Sequence, residues 1–348
     1  MHAITSIFNR INLIQNMKIF ITGIAGFLGS HLAEEFIKDG HEVSGNDNLL
    51  GGYLDNIPAN VKFYEVDCRN LDKMSEVTRG IDVIYHCAAA PYEGLSVFSP
   101  TGIVDGIVTG TTVTLTAGIR NKIKRFIYCS SMARYGANRV PFTEDMVSAP
   151  EDPYGIAKVA GEDIVKLLCG VHGVEYVIAV PHNIIGPKQK YDDPFRNVAS
   201  IMINLMLRGR QPIIYGDGLQ KRCFSYVADD LYVLKKMATD NVSGEIFNIG
   251  PDEEFVTILD LAKIIAEEVG VSLAPEFYPD RTREVRLANC SADKIRKWFN
   301  YKTKWSLRDG IKEIVKYIKN RGPKNFEYHI DLEIINDKTP VTWSERKF

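Results

Sequence analysis

The chain is short of the features that mark several common classes of protein. Its six cysteines (Cys68, Cys87, Cys129, Cys169, Cys223 and Cys290) are scattered, form no Cys-x-x-Cys pair, and in one case sit in the apolar run VIYHCAAA. That pattern argues against a disulfide framework or a zinc site and for reduced thiols in a cytoplasmic protein. Neither sign of charge prevails: 42 Lys and Arg stand against 44 Asp and Glu, a formal net charge of −2. Nothing in that balance draws a polyanion, so binding to nucleic acid is not expected. No apolar run approaches the ~20 residues that span a bilayer, so no membrane insertion is expected. Internal repeats and low-complexity segments are absent. The opening stretch MHAITSIFNRINLIQN is interrupted by Arg10, Asn12, Gln15 and Asn16 and is followed by no small-residue cleavage site. Residues 1–16 therefore read as an upstream start or a loose leader.

What is present is ordinary globular composition, 45% hydrophobic and 25% charged over 348 residues. That suffices for one large α/β unit with a smaller lobe. From Met17, strand-like and helix-like segments alternate: KIFIT, then a glycine turn and helix ending near Gly40, then HEVSGND, VKFYEVD, DVIYHCA and RFIYCSS with helices between. A long helix over Tyr154 to Gly170 and the strand VEYVIAVPHNI follow. Such alternation implies a doubly wound parallel sheet of Rossmann type with helices on both faces. After Pro187 the texture changes. FRNVASIMINLMLRGR reads as helix and PIIYGDGLQKRCFSYVADD as strands and turns. TILDLAKIIAEEVG opens on a capping-box-like Thr257 and Asp260, and a late helix starts near Ser306. The expected division is a Rossmann domain over 17–180 with a return segment at about 223–250, a smaller C-terminal α/β substrate lobe from 181–222 and 251–330, and a tail over 331–348 with no assigned role.

TGIAGFLG places Gly23, Gly26 and Gly29 between a strand and a helix. Backbone can approach a pyrophosphate closely there, and the free amides of the helix N-terminus face it. Asp47 ends the second strand, 24 residues after Gly23. A carboxylate at that point accepts both ribose hydroxyls of NAD and repels a 2′-phosphate. Asp67 closes the third strand and is placed to meet the adenine amine.

DPYGIAK carries Tyr154 and Lys158 one helical turn apart, behind Asp152 as N-cap and Pro153 at the first position. An unperturbed tyrosine has a pKa near ~10 and is a poor base at neutral pH. A nearby ammonium, a positive nicotinamide ring and the helix N-terminus all favour the phenolate, so the pair is expected to form a general base tuned towards working pH. Lys158 is also placed to hold the nicotinamide ribose. Ser131, ending RFIYCSS, is placed to orient the reacting hydroxyl.

Together these motifs resemble the extended short-chain dehydrogenase/reductases, the NAD-dependent epimerase/dehydratase family that modifies nucleotide sugars. The resemblance runs from about Met17 to about Tyr317 and includes TGIAGFLG, DNL at Asp47, DCR at Asp67, HCAAA at His86, SSMARYG at Ser130, YGIAK at Tyr154, HNIIGP at His182, GDGLQKRCFSYVADD at Gly216 and RTREV at Arg281. It implies Ser131, Tyr154 and Lys158 as the catalytic set. For NAD it implies Gly23, Gly26, Phe27, Leu28, Gly29, Asp47 and Asn48, together with Asp67, Cys68, Ala88, Ala89, Lys158 and Pro181. For the nucleotide sugar it implies Glu93, His182, Asn183, Arg222 and Arg281, with Cys290 near the place where such enzymes gauge the C-2 substituent. A guanidinium in the QKRCF loop can grip phosphate with two parallel hydrogen bonds. The resemblance further implies a homodimer joined through helices near Thr101 to Arg120 and Asp152 to Gly170, with a place in carbohydrate metabolism and polysaccharide biosynthesis.

Three departures narrow the reading. Where the family has Asn-Val-x-Gly-Thr, this chain has Ile107 to Thr111, so the asparagine is absent, and with it a helix-bend contact or an active-site water. The Asp-Glu of 4,6-dehydratases is replaced by Met132 and Ala133, which leaves no acid to protonate a leaving hydroxyl. The cysteine of 3,5-epimerases is likewise Ala133, although Lys188 and Lys190 lie downstream. Arg134, together with PYEG at Pro91 to Gly94, points to an unusual or acidic sugar. The leading expectation is an NAD-dependent 4-epimerase acting through a transient 4-keto sugar. The alternatives are a 4-dehydrogenase or ketosugar reductase with net redox, and a non-catalytic NAD-binding regulator.

Overall fold

The computed structural model describes residues 16–348. Seven short strands build its main sheet: β1 (Lys18–Thr22), β2 (Glu42–Asp47), β3 (Lys62–Glu65), β4 (Val83–His86), β5 (Arg125–Cys129), β6 (Glu175–Pro181) and β7 (Ile246–Ile249). Their spatial order is β3-β2-β1-β4-β5-β6-β7, with every pairing parallel. The order reverses between β1 and β4, and in such sheets ligands bind beyond the strand carboxyl ends at that reversal. The central strands β1, β4 and β5 read as near-continuous apolar runs because helices cover both faces, and β4 and β5 are buried along their whole length.

The helices are α1 (Phe27–Lys38), α2 (Leu71–Val77), α3 (Pro100–Arg120), α4 (Pro153–His172), α5 (Val198–Leu207), α6 (Val227–Lys236), α7 (Ile258–Val269), α8 (Asp293–Phe299) and α9 (Leu307–Arg321). Their ends obey the sequence. The Asp152 carboxylate caps α4 by accepting from Gly155 N at 2.8 Å, and Gly173 ends the helix in the left-handed conformation. Thr257 and Asp260 form a reciprocal capping box on α7, and Ser306 caps α9. VADD, expected among strands and turns, instead starts α6.

One correction concerns α3. By length and composition this helix is apolar enough to cross a membrane, with 44% of the relevant window buried in the protein. Glycines and threonines broke up the run in the sequence. Thr111, Thr112 and Thr116 bond back to carbonyls one turn earlier, which hides their hydroxyls. Ile107, standing where the family has asparagine, is buried in an apolar cluster with Tyr154 and Ala157.

A second core joins α5, α7 and α9 through Met202, Leu261, Ile265, Ile311 and Ile314. Short strands at Ile213–Tyr215, Lys221–Cys223, Phe255–Thr257 and Leu287–Ala288 lie beside it. The six cysteines are free, and among the described residues no group of His, Cys, Asp and Glu is arranged to hold a metal. The leader reading for residues 1–16 falls almost entirely outside the described residues. The capping box gives a direct test of local stability. Thr257→Ala removes the bond that its hydroxyl accepts from Asp260 N and is expected to cost about 1 kcal/mol, read as a lowered urea midpoint at unchanged slope.

Candidate active site

One cavity of about 560 Å³ opens at the carboxyl ends of β1, β2, β4, β5 and β6 and extends between the sheet and the second core. The thirteen residues expected at the cofactor all line it. Gly23 adopts φ of +70°, and a Cβ at Gly29 would stand 2.3 Å from Gly23 O. No other residue fits that close turn, which keeps the amides at the start of α1 open to a phosphate. The Asp47 carboxylate accepts from Ala25 N at 3.0 Å and Leu49 N at 2.8 Å and faces the same cavity. Burial pushes its pKa up, while these amides pull it down. Arg69 is the nearby cation that could take a 2′-phosphate, but it is spent on Asp67 and Asp105. That pairing and an Asn48 hydrogen bond hold Asp67 down at about 2. The cradle, the carboxylate and the neutralised arginine fit NAD.

At the inner end, Ser131, Tyr154 and Lys158 all line the cavity. Tyr154 is the second residue of α4 and Lys158 follows one turn later. Lys158 Nζ donates to Cys129 O at 2.8 Å, which ties α4 to the end of β5, and stands 5.9 Å from the centre of the Tyr154 ring. Burial lowers Lys158 to about 8. Tuning of Tyr154 towards the phenolate is expected from a nearby ammonium, the positive nicotinamide ring and the helix N-terminus acting together, and Lys158 supplies the ammonium. Burial pushes its phenol up, the Ser131 hydroxyl pulls it down, and the Glu93 and Asp152 carboxylates add to the rise. Within the chain Arg196 also pulls the phenol down, and a positive nicotinamide ring beside it would act in the same direction.

Of the substrate candidates, Glu93, Asn183, Arg222 and Arg281 line the cavity. Arg222 and Arg281 converge on one carboxylate, Glu284, at 3.0 and 2.6 Å. Two guanidiniums are thereby aimed at a single point, the arrangement a diphosphate needs. Three expectations are corrected. His182 is fully buried outside the cavity, with Nε2 2.7 Å from Pro251 O. Its neighbours Pro181 and Asn183 point inward, and alternation along an extended chain turns His182 the other way. Cys290 is buried beside Phe142 and Tyr135, because the chain is bridged to Phe142 there; Ala288 lines the cavity instead. Arg134 is also buried, bonded to Glu162 at 2.9 Å, so it offers nothing to an acidic sugar.

Several lining residues had no legible signal. Arg196 projects from the loop before α5, over the Tyr92 ring and towards Gly51. Trp343 and Phe348 come from the tail. Cys87 and Cys129, in register on adjoining strand ends, bring their sulfurs to 3.6 Å.

Glu93 supplies a pH test. It is exposed to the open cavity, yet desolvation by the surrounding walls and the Asp152 carboxylate push it up to about 7 against the pull of Arg222 and Arg281. Unfolded, it loses its proton near ~4.3, so the unfolded state deprotonates first and stability falls as pH rises between those values. Glu93→Gln is expected to melt progressively higher than the wild type as pH is raised from 4.5 to 8. A gap independent of pH would contradict this.

The family model of the NAD dependent epimerase/dehydratase family matches residues 19–250. A Methanocaldococcus jannaschii protein carrying a provisional UDP-glucose 4-epimerase name is 34% identical over 310 residues, 87% of this chain and 99% of its own. The solved UDP-glucose 4-epimerase of Thermotoga maritima, with UDP-glucose, has a TM-score of 0.82 at 30% identity and covers 88% of this chain and 99% of its own. The UDP-glucuronic acid 4-epimerase of Bacillus cereus, with UDP-glucuronic acid and NAD, has a TM-score of 0.82 at 29% identity and covers 88% and 100%.

Proposed function

The chain belongs to the NAD-dependent epimerase/dehydratase family, and we propose that it inverts C-4 of a nucleotide-activated sugar with Ser131, Tyr154 and Lys158 as its catalytic residues. The observation that carries this reading is the placing of these three side chains at one end of a cavity whose other walls are a dinucleotide cradle and a pair of arginines. Residues 17–180 with 223–250 hold the cofactor; residues 181–222 and 251–330 hold the nucleotide sugar. Asn183, Arg222 and Arg281 face the diphosphate.

NAD, when bound through the glycine turn, Asp47 and Lys158, supplies the acceptor and donor of the hydride at C-4. The chain does the rest. Ser131 orients the C-4 hydroxyl, and Tyr154 takes its proton as C-4 becomes a ketone. Lys158 is tied to Cys129 O and keeps its charge beside the ring. Arg222 and Arg281 hold the diphosphate while the keto sugar turns over. With the keto sugar now presenting its other face, Tyr154 returns the proton to the C-4 oxygen, so that the configuration at C-4 is inverted with no net redox. Met132 and Ala133 lie beside Ser131 with no carboxylate to protonate a leaving hydroxyl, so the reaction stops short of dehydration.

The protein acts in the cytoplasm as a homodimer joined through α3 and α4, in carbohydrate metabolism that feeds polysaccharide biosynthesis. Ile156 and Leu167 of α4 are exposed, as an interface helix requires. Light scattering is expected to give twice the chain mass.

The function is tested by incubating the protein and NAD with UDP-, GDP-, CDP- and dTDP-sugars, following sugar protons by NMR and absorbance at ~340 nm, the nicotinamide band that reports cofactor reduction. A C-4 epimer with no accumulated NADH is expected. Stoichiometric NADH and a keto sugar would replace the epimerase with a dehydrogenase. Tyr154→Phe is expected to lower turnover about 10²–10⁴-fold with NAD binding intact; unchanged turnover would remove the tyrosine from the mechanism.

A further inference from the structure

The matched relatives cover nearly their whole length but only 87–88% of this chain, and the family match begins at residue 19. The remainder is longer than the stretch before that match, so part of it falls at the C-terminal end. There the segment after α9 does not trail into solvent. Lys324 exchanges two hydrogen bonds with Asn204 of α5, and Glu327 N donates to Asp192 O. Further on, Ser99 Oγ donates to Asp331 O, and the Glu333 carboxylate accepts from Thr101 N at the start of α3. The segment then folds back over the cavity mouth, where Trp343 is 4% exposed and lies edge-on to Phe98 and Phe195.

That final pass reaches Arg281 from two sides. A Cβ at Gly94 would stand 3.4 Å from Arg281 Nη1 and 3.5 Å from the Trp343 ring, so both side chains occupy the space that glycine leaves. On the other side, the Arg281 guanidinium stacks over the Tyr215 ring at 5.0 Å, and the Tyr215 hydroxyl bonds the Thr342 hydroxyl. Thr282 Oγ1 donates to Lys338 O, tying the arginine's own loop to the same segment. A guanidinium stacked on Tyr215, with Trp343 sharing the space left by Gly94, loses little further freedom when it grips an anion.

We propose that Trp343 and Thr342 are positioning residues for Arg281, so that the C-terminal strap sets the affinity for the substrate's nucleoside diphosphate. This rests on the nucleotide-sugar reading above. The strap acts through the arginine: its hydrogen bonds run to Tyr215 and to the Arg281 loop, although Trp343 also shares an apolar cluster with Tyr154.

Calorimetric titration with UDP, GDP, CDP and dTDP, and separately with NAD, tests it on wild type, Trp343→Ala, Trp343→Phe, Arg281→Ala and the Trp343→Ala/Arg281→Ala double variant. Trp343→Ala is expected to weaken the preferred diphosphate about 10-fold, with Trp343→Phe restoring most of the loss and NAD affinity unchanged. In the Arg281→Ala background the same change is expected to have no further effect, since the two residues share one action. An equal loss in both backgrounds, or a matching loss of NAD affinity, would overturn the proposal. Should Trp343→Ala fail to fold, Thr342→Val is read the same way: a several-fold loss confined to the Arg281 background supports the proposal, and no loss overturns it. A wild-type protein that binds none of the four diphosphates would overturn the nucleotide-sugar reading, and this proposal with it.

Discussion

The hydrogen bond from Lys158 Nζ to Cys129 O holds the reaction end of the site together. It joins the first turns of α4 to the carboxyl end of β5, alongside the bonds from the Tyr128 hydroxyl to Lys158 O and from Ser130 Oγ to the Glu162 carboxylate. Asp152 fixes where α4 begins by capping it, so Tyr154 falls on its second position and Lys158 one turn on. Ser131 leaves β5 two residues after the carbonyl that Lys158 holds. A shift of one residue in either element would turn the phenol or the hydroxyl away from the cavity. Burying an ammonium against a single carbonyl is costly, and the lowering of Lys158 to about 8 is the measure of that cost.

The same economy governs the charges. Asp47 and Asp67 meet the cofactor end, while Arg222 and Arg281 face the substrate end with Glu284 between them. Tyr154 lies between the two regions under the influence of Glu93, Asp152 and Arg196. A positive nicotinamide ring bound beside the phenol would favour its ionised form further.

Elements fixed by local chemistry were legible in the sequence. Alternating apolar runs named the strands of the main sheet, the glycine turn named the cradle, and Asp152, Thr257 and Ser306 named helix starts. Features that depend on which way one side chain turns were not. His182 and Cys290 lie within one or two residues of lining positions yet face the core, because alternation and a bridge to Phe142 decide their direction. Arg134 resembled a free cation until Glu162, twenty-eight residues away, was seen to bury it. Trp343 carried no periodic or motif signal, since its place is set by contacts with Phe98, Phe195 and the Arg281 loop from distant parts of the chain.

The central claim is that C-4 is inverted by removing and returning the same hydrogen, with Tyr154 moving only the hydroxyl proton. Running the conversion in D2O and reading the product by proton and deuterium NMR tests it most directly. The C-4 position of the epimer is expected to retain its original hydrogen, with no ring carbon gaining deuterium. Deuterium at C-4, C-3 or C-5 would mean that a carbon acid is ionised instead, and would contradict it.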